Sequence, residues 1–187
     1  SKVASGGDYD YCIENYFHYW DDGNEKYATF CDAVVNNDGF SDTYFYITAP
    51  TGSIVLGEGA AWDGIGTASN PFKGHIRAGR YQPNPTDEMT NNTMAQTAGD
   101  QDTIIIKNGI NGLFAYCDGA TIENIHVKGV INSSSGTDAG VEYGVTLGGI
   151  CDFAKNTTFS HCTNNCTINS NINGGSGVGG IVGAGIN

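Results

Sequence analysis

Apolar residues fall in two rhythms along this chain. Between Asn24 and Gly39 they recur at steps of three and four: Tyr27, Phe30, Cys31, Val34 and Val35. That spacing lines one face of a helix. A short helix is expected over about 25–36, with Asn24 capping its start and Gly39 following its end. From Tyr44 the rhythm becomes two. TYFYITA (Thr43–Ala49) and GSIVLGE (Gly52–Glu58) read as strands divided by a Pro-Thr-Gly turn, and TIIIKNG (Thr103–Gly109) reads as another. Gln82 to Asp102 is polar, lacks either rhythm and contains Pro83 and Pro85. It is long for a loop in a compact domain, and an exposed excursion is expected there.

Beyond Gly112 the pattern repeats. At an offset of 37 residues, Gly112 meets Gly149, Leu113 meets Ile150, Ile122 meets Phe159, Ile125 meets Cys162, and Ile131 meets Ile168. Gly180-Ile181 restarts the line 31 residues after Gly149-Ile150. Matched apolar positions with polar inserts of variable length indicate stacked coils. A single coil cannot bury its apolar side alone, whereas stacking sets like residues above one another at about 4.8 Å. Ile122, Ile125, Val127 and their equivalents are the expected inward ladders. The fold class that follows is mainly β: stacked coils over 44–187, preceded by an aromatic arm and capping helix (1–43).

Composition narrows the function. The 187 residues carry a net charge of -12, and only 15% are charged. Such a polyanion repels phosphate backbones and anionic lipid, so neither nucleic acid nor membrane insertion is expected. No apolar run approaches the roughly 20 residues of a membrane span, and no signal peptide stands at Ser1, as in a mature or trimmed chain. The surface is rich in Asn, Ser, Thr and Gly. Six cysteines (Cys12, Cys31, Cys117, Cys151, Cys162, Cys166) and four N-x-[ST] sequons (at Asn91, Asn132, Asn156, Asn165) favour an oxidising, extracellular or cell-surface setting.

The segment WDGIGTASNPFKG (Trp62–Gly74), followed by GLFAYCDGATIENIHVKGVI and GGICDFAKNTTFSHCTNNCTI, resembles bacterial surface proteins built from GLUG-type repeats. The likeness covers about Glu25 to Asn187. It implies a right-handed parallel β-helix, generally extracellular, of the kind found in large adhesins. Where members of that group continue with an Asp-Gly-x-Gly stretch, this chain has HIRAGRYQPNPTDE (His75–Glu88).

Several constellations could carry chemistry, each against a plainer reading. β-Helix lyases need acids for calcium and a basic residue near the scissile bond, and hydrolases need clustered carboxylates. The repeats hold few acids (Asp118, Glu123, Asp138, Glu142, Asp152), none two apart on one strand, and Asp118 and Asp152 read as turn formers. DDGNE (Asp21–Glu25) resembles part of a calcium loop, or the acidic start of a helix; no cofactor is expected, with calcium at this stretch as the alternative. His161, Cys162 and Cys166 with Cys151 could be drawn as a zinc site, but disulfides or buried thiols are expected instead. Cys12 with Cys31 would tie the arm to the helix, and Cys117 with Cys151 would join coils. Cys162 and Cys166 could pair only if Thr163-Asn164-Asn165 turns, because four residues of strand span about 13 Å.

Lys73, His75 and Arg77 alternate and so share one strand face; with Arg80 they form either an anionic-ligand or partner-contact patch or a solvated face balanced by acids. Tyr16, Phe17, Tyr19 and Trp20 could cap an open coil, stack on sugars or contact a neighbour. The last residues, GVGGIVGAGIN, are apolar and glycine-rich and lack a cap, so either further coils follow or another subunit completes the coil. The expected function is a non-enzymatic extracellular structural or adhesive protein that self-associates, head to tail into filaments or as part of a larger chain. A glycan-active β-helix enzyme and a carbohydrate-binding module are the alternatives.

Overall fold

A computed structural model describes residues 17–21, 24–28, 34–35, 38–41, 44–47, 53–78, 103–173 and 176–187. The first elements are the strands β1 (Phe17–Asp21) and β2 (Asn24–Ala28), paired antiparallel from Phe17↔Ala28 to Asp21↔Asn24. This corrects the helix expected over about 25–36. The backbone of this stretch is engaged in cross-strand pairing, Tyr27 opposite His18, and not in a helical turn. Helical backbone occurs only at Val34 and Val35 among the described residues of that stretch, followed by a 3-10 turn at Asp38–Phe40.

The rest of the described chain is strand. In order come β3 (Tyr44–Ile47), β4 (Ser53–Leu56), β5 (His75–Ala78), β6 (Thr103–Gly109), β7 (Phe114–Asp118), β8 (Thr121–Glu123), β9 (His126–Ser133), β10 (Thr137–Asp138), β11 (Val145–Gly148), β12 (Cys151–Lys155), β13 (Thr158–Ser160), β14 (Thr163–Ser170), β15 (Ser176–Gly179) and β16 (Val182–Ile186). They form parallel sheets in the orders β3-β5-β8-β13, β4-β6-β9-β14 and β7-β12-β16, and a fourth sheet in which β11 pairs β10 antiparallel and β15 parallel. Isolated bridges from Ile65 to Phe114 and from Phe72 to Cys117 extend the third sheet toward the N-terminus, and a further bridge joins Trp62 to Gly109 at the end of β6. The chain therefore visits the first three sheets repeatedly in the same order. The excursion expected at 82–102 lies outside the described residues, between β5 and β6.

The repeat of the sequence is the register of these sheets. Ile122 pairs Phe159, Ile131 pairs Ile168 and Phe114 pairs Cys151, all at the offset of 37. Cys151 pairs Val182 and Leu147 pairs Val178, at the offset of 31. The glycine corner follows suit, with Gly149 N donating to Gly180 O at 3.1 Å and Ile150 N to Ile181 O at 3.0 Å. Thr163 N donates to Ile125 O at 2.9 Å, which sets the residue after Cys162 against Ile125. One expected ladder is broken: Val127 pairs Asn164, so a polar side chain follows the apolar one in the last pass.

Alternation within strands gives the core. Ile76, Ile104, Ile106, Ile122, Val127, Ile131, Leu147 and Ile150 are all at most 2% exposed. Burying such a side chain contributes about 1.5–3 kcal/mol. Close strand approach also dictates Gly129: its φ is 125°, and a Cβ there would run into the Ile106 carbonyl. At the N-terminal side, Val34 and Phe40 pack into this same core at 0% and 3% exposure.

Candidate assembly surface

The four last strands, β13 to β16, each pair with a preceding strand on one side only among the described residues. Their inward side chains end the apolar columns. Phe159 lies beyond Ile122, Ile168 beyond Ile131, Val178 beyond Leu147, Ile181 beyond Ile150 and Val182 beyond Cys151. The preceding members of these columns are fully buried, whereas Val178 is 51% exposed and Phe159, Ile168, Ile181 and Val182 are only partly covered. A cavity of about 300 Å³ opens among Ala154, Phe159, Val182 and Ile186. The end is thus an apolar cross-section rimmed by strand edges.

Outward side chains fix its register. His126 Nδ1 meets Thr163 Oγ1 at 2.6 Å, and Asn169 Nδ2 donates to Asn132 Oδ1 at 2.8 Å. Burial lowers the His126 pKa from its ordinary value. At the opposite edge, Asn156 Nδ2 donates to Asp118 Oδ1 at 3.2 Å beside the Lys155–Asp118 ion pair at 3.6 Å.

One corner is held by a buried acid that was read only as a turn former. Asp152 is fully buried. Its Oδ1 accepts Gly112 N at 3.0 Å and Gly148 N at 2.9 Å, and its Oδ2 accepts the Thr137 hydroxyl at 2.7 Å. It therefore ties two glycine corners to β10. Burial pushes its carboxyl up to about 7, against the three hydrogen bonds, which pull the other way. A lone acid inside the apolar run Gly-Ile-Cys-Asp-Phe-Ala was the available signal. Beside it, Phe153 is covered on the outer face by Tyr116 and Tyr143, with ring centroids 4.7 and 5.3 Å away. Burial is the first cause raising both tyrosine pKa values.

The candidate residues distribute as follows. Cys12, Cys31, Tyr16, Arg80 and Asn91 lie outside the described residues. Phe17, Tyr19 and Trp20 stand in β1. His75 and Arg77 flank the buried Ile76 in β5, as their alternation required. Lys73 pairs Asp38 at 2.7 Å and Arg77 pairs Glu123 at 3.4 Å, so acids balance this face. Cys117, Cys151, Cys162 and Cys166 are free thiols. Cys117 and Cys151 are both buried and interact, and burial together with Cys117 pushes the Cys151 thiol well up. The turn needed to join Cys162 with Cys166 is absent: Thr163–Ser170 is one straight strand, paired residue for residue with His126–Ser133. Burial pushes Cys166 up to about 11. Asn132 and Asn165 face outward and are exposed on β9 and β14. Asn156 is also exposed, at a turn with φ 47°. Asp138 caps its own turn through Gly140 N at 2.9 Å. Asp21 and Asn24 of the calcium-like stretch are paired hairpin positions, while residues 22–23 are outside the described set. Among the described residues, no three His, Cys, Asp or Glu side chains are grouped as metal ligands.

No family model matches this chain, and no curated protein or solved structure matches it.

Proposed function

We propose that the repeated parallel passes wind as a right-handed parallel β-helix, and that the protein is a non-enzymatic structural or adhesive element of the extracellular space that self-associates through its last coil. The resemblance to GLUG-type surface proteins supports the setting. The observation that carries the functional reading is the stack of parallel passes with matched apolar columns, in which the same positions are buried pass after pass. Unpaired strand edges template the addition of further strands. The acids of the repeats favour a structural role over a lyase or glycosidase. Asp152 is sealed inside a corner, Asp118 and Glu123 are engaged with Lys155 and Arg77, and Asp138 holds its own turn.

The test is a polysaccharide panel run beside electron microscopy and protease digestion of the purified chain. The expected outcome is no sugar release, slow digestion and ordered particles larger than one chain. Sugar release that survives repurification would overturn the structural reading in favour of the enzyme alternative.

A further inference from the structure

We infer that residues 134–144 form a strap, latched onto β12 at acid pH through Asp152 and Phe153, that lifts from the sheet stack as the pH rises toward neutrality. This device is independent of what the protein assembles with or binds.

Geometry defines the strap. It leaves the stack after β9, runs through β10 and returns into β11, with β10 and β11 paired antiparallel at Thr137↔Thr146 and Asp138↔Val145. Gly144 N donates to Gly140 O at 2.8 Å and Ala139 N to Gly144 O at 2.9 Å, so the tip closes on itself. That tip stands in solvent. Val141 is fully exposed, and a Cβ on Gly140 would meet nothing within 4 Å. A ladder of two residue pairs is a weak anchor, but two side chains of the strap also reach adjacent residues of β12. The Thr137 hydroxyl lies 2.7 Å from Asp152 Oδ2, and the Tyr143 ring centroid lies 5.3 Å from that of Phe153. Gly136 and Gly144, with φ values of 60° and 67°, stand before β10 and β11 as hinges.

The latch is a proton. Asp152 Oδ1 accepts Gly112 N and Gly148 N, so a proton on the acid sits on Oδ2 and is donated to Thr137 Oγ1, since a hydroxyl accepts as well as donates. No charge is then buried. Once the proton passes to solvent, Thr137 donates instead, and the carboxylate is left buried among neutral donors without a cation, which is costly. Lifting the strap takes Thr137 away and admits water, where the ionised form is stable. Burial accordingly raises the carboxyl to about 7 under the closed strap.

The neighbouring titratable groups leave this balance to Asp152. On β10, Asp138 accepts Gly140 N of its own turn. At the tip, Glu142 acts on Tyr143, and on β7 Asp118 pairs with Lys155 of β12. Tyr116 and Tyr143, both raised, remain neutral. Cys151, beside Asp152, is pushed well up and stays a thiol, with Cys117 of β7 against it. Neither β11 nor β16 has a titratable side chain.

Hydrogen exchange of the purified chain, corrected for the chemical pH dependence of exchange, reads the opening. The closed strap binds the proton more tightly than the open one. Opening is therefore rarest below about pH 4, grows about tenfold per pH unit, and levels off above about pH 7. Amides of residues 134–144 should lose protection along that curve while those of β9 and β12 keep theirs. Asp152→Asn puts an amide N–H where the acid's O–H stood and should hold the protection high and flat. Should that variant fail to fold, the carboxyl carbon-13 shift of Asp152 in the wild type replaces it, and its midpoint should fall where strap exchange levels off. Wild-type protection independent of pH, a slope that survives in Asp152→Asn, a carboxyl midpoint at the ordinary value of about 3.9, or an equal loss in β9 and β12 overturns the strap.

Discussion

The two ends of the sheet stack solve the same problem differently. At the N-terminal end a short turn covers the core: Phe40 is 3% exposed, and Gly39 O accepts Lys73 N at 2.7 Å. That turn is strained. Asp38 and Phe40 hold φ values of 48° and 58°, a left-handed conformation that costs a non-glycine residue about 1–2 kcal/mol. At the C-terminal end the backbone is regular strand, yet Val178 remains 51% exposed. Among the described residues, the first end covers its side chains with a strained turn, while the last strands keep regular pairing and leave theirs partly covered.

The sharpest way to break this comparison is one substitution made at both ends. Phe40→Ala should cost about 3–4 kcal/mol, the range for a fully buried phenylalanine, with the strained φ retained by alanine. Phe159→Ala should cost about 1–2 kcal/mol, because its ring is only partly buried. Urea denaturation measures both, and equal costs would erase the distinction between the ends.

Next in size is the pH dependence set at the Asp152 corner. Its carboxyl binds a proton more tightly in the fold, at about 7, than in the unfolded chain, near 3.9. The stabilising contribution is complete below about pH 4 and is lost as pH rises through about 7. Wild type minus Asp152→Asn should therefore become less stable by on the order of 2 kcal/mol between pH 5 and pH 8. A flat difference, measured by thermal or urea unfolding at both pH values, would mean that the three hydrogen bonds hold the carboxylate ionised. Asp152→Ala should be worse at every pH, since it leaves two buried glycine amides unpaired at about 1–3 kcal/mol each.

The smallest effect belongs to the Asp38–Lys73 pair. Its Asp38 side chain is 84% exposed, and exposed pairs contribute about 0–1 kcal/mol. Lys73→Ala should shift the urea midpoint barely at all, leaving Phe40 and the Gly39 carbonyl to hold the turn. A loss comparable to that of Phe40→Ala would make the ion pair the true closure of that end.

The passes themselves could be read from sequence, since identical apolar positions recur at 37 and then 31 residues and stacking requires that recurrence. The hairpin could not be read that way, because Tyr27 satisfies a helical spacing and a cross-strand pairing equally well. Asn164 also stayed hidden, as inward position is fixed by the register with Val127 and not by side-chain polarity. Asp152 was visible as a residue but not as a link, because its partners Gly112, Thr137 and Gly148 are spread over separate turns of the chain.

The change of offset has a practical side. Ser133 aligns with Ser170 and Val145 with Ser176, so eleven residues separate the paired positions in one pass and five in the next. Flanking ladders keep their alignment across that difference in length. The corner between β9 and β11 is thus a natural port for grafting a foreign peptide, such as an epitope or affinity tag, at a defined level of the sheet stack.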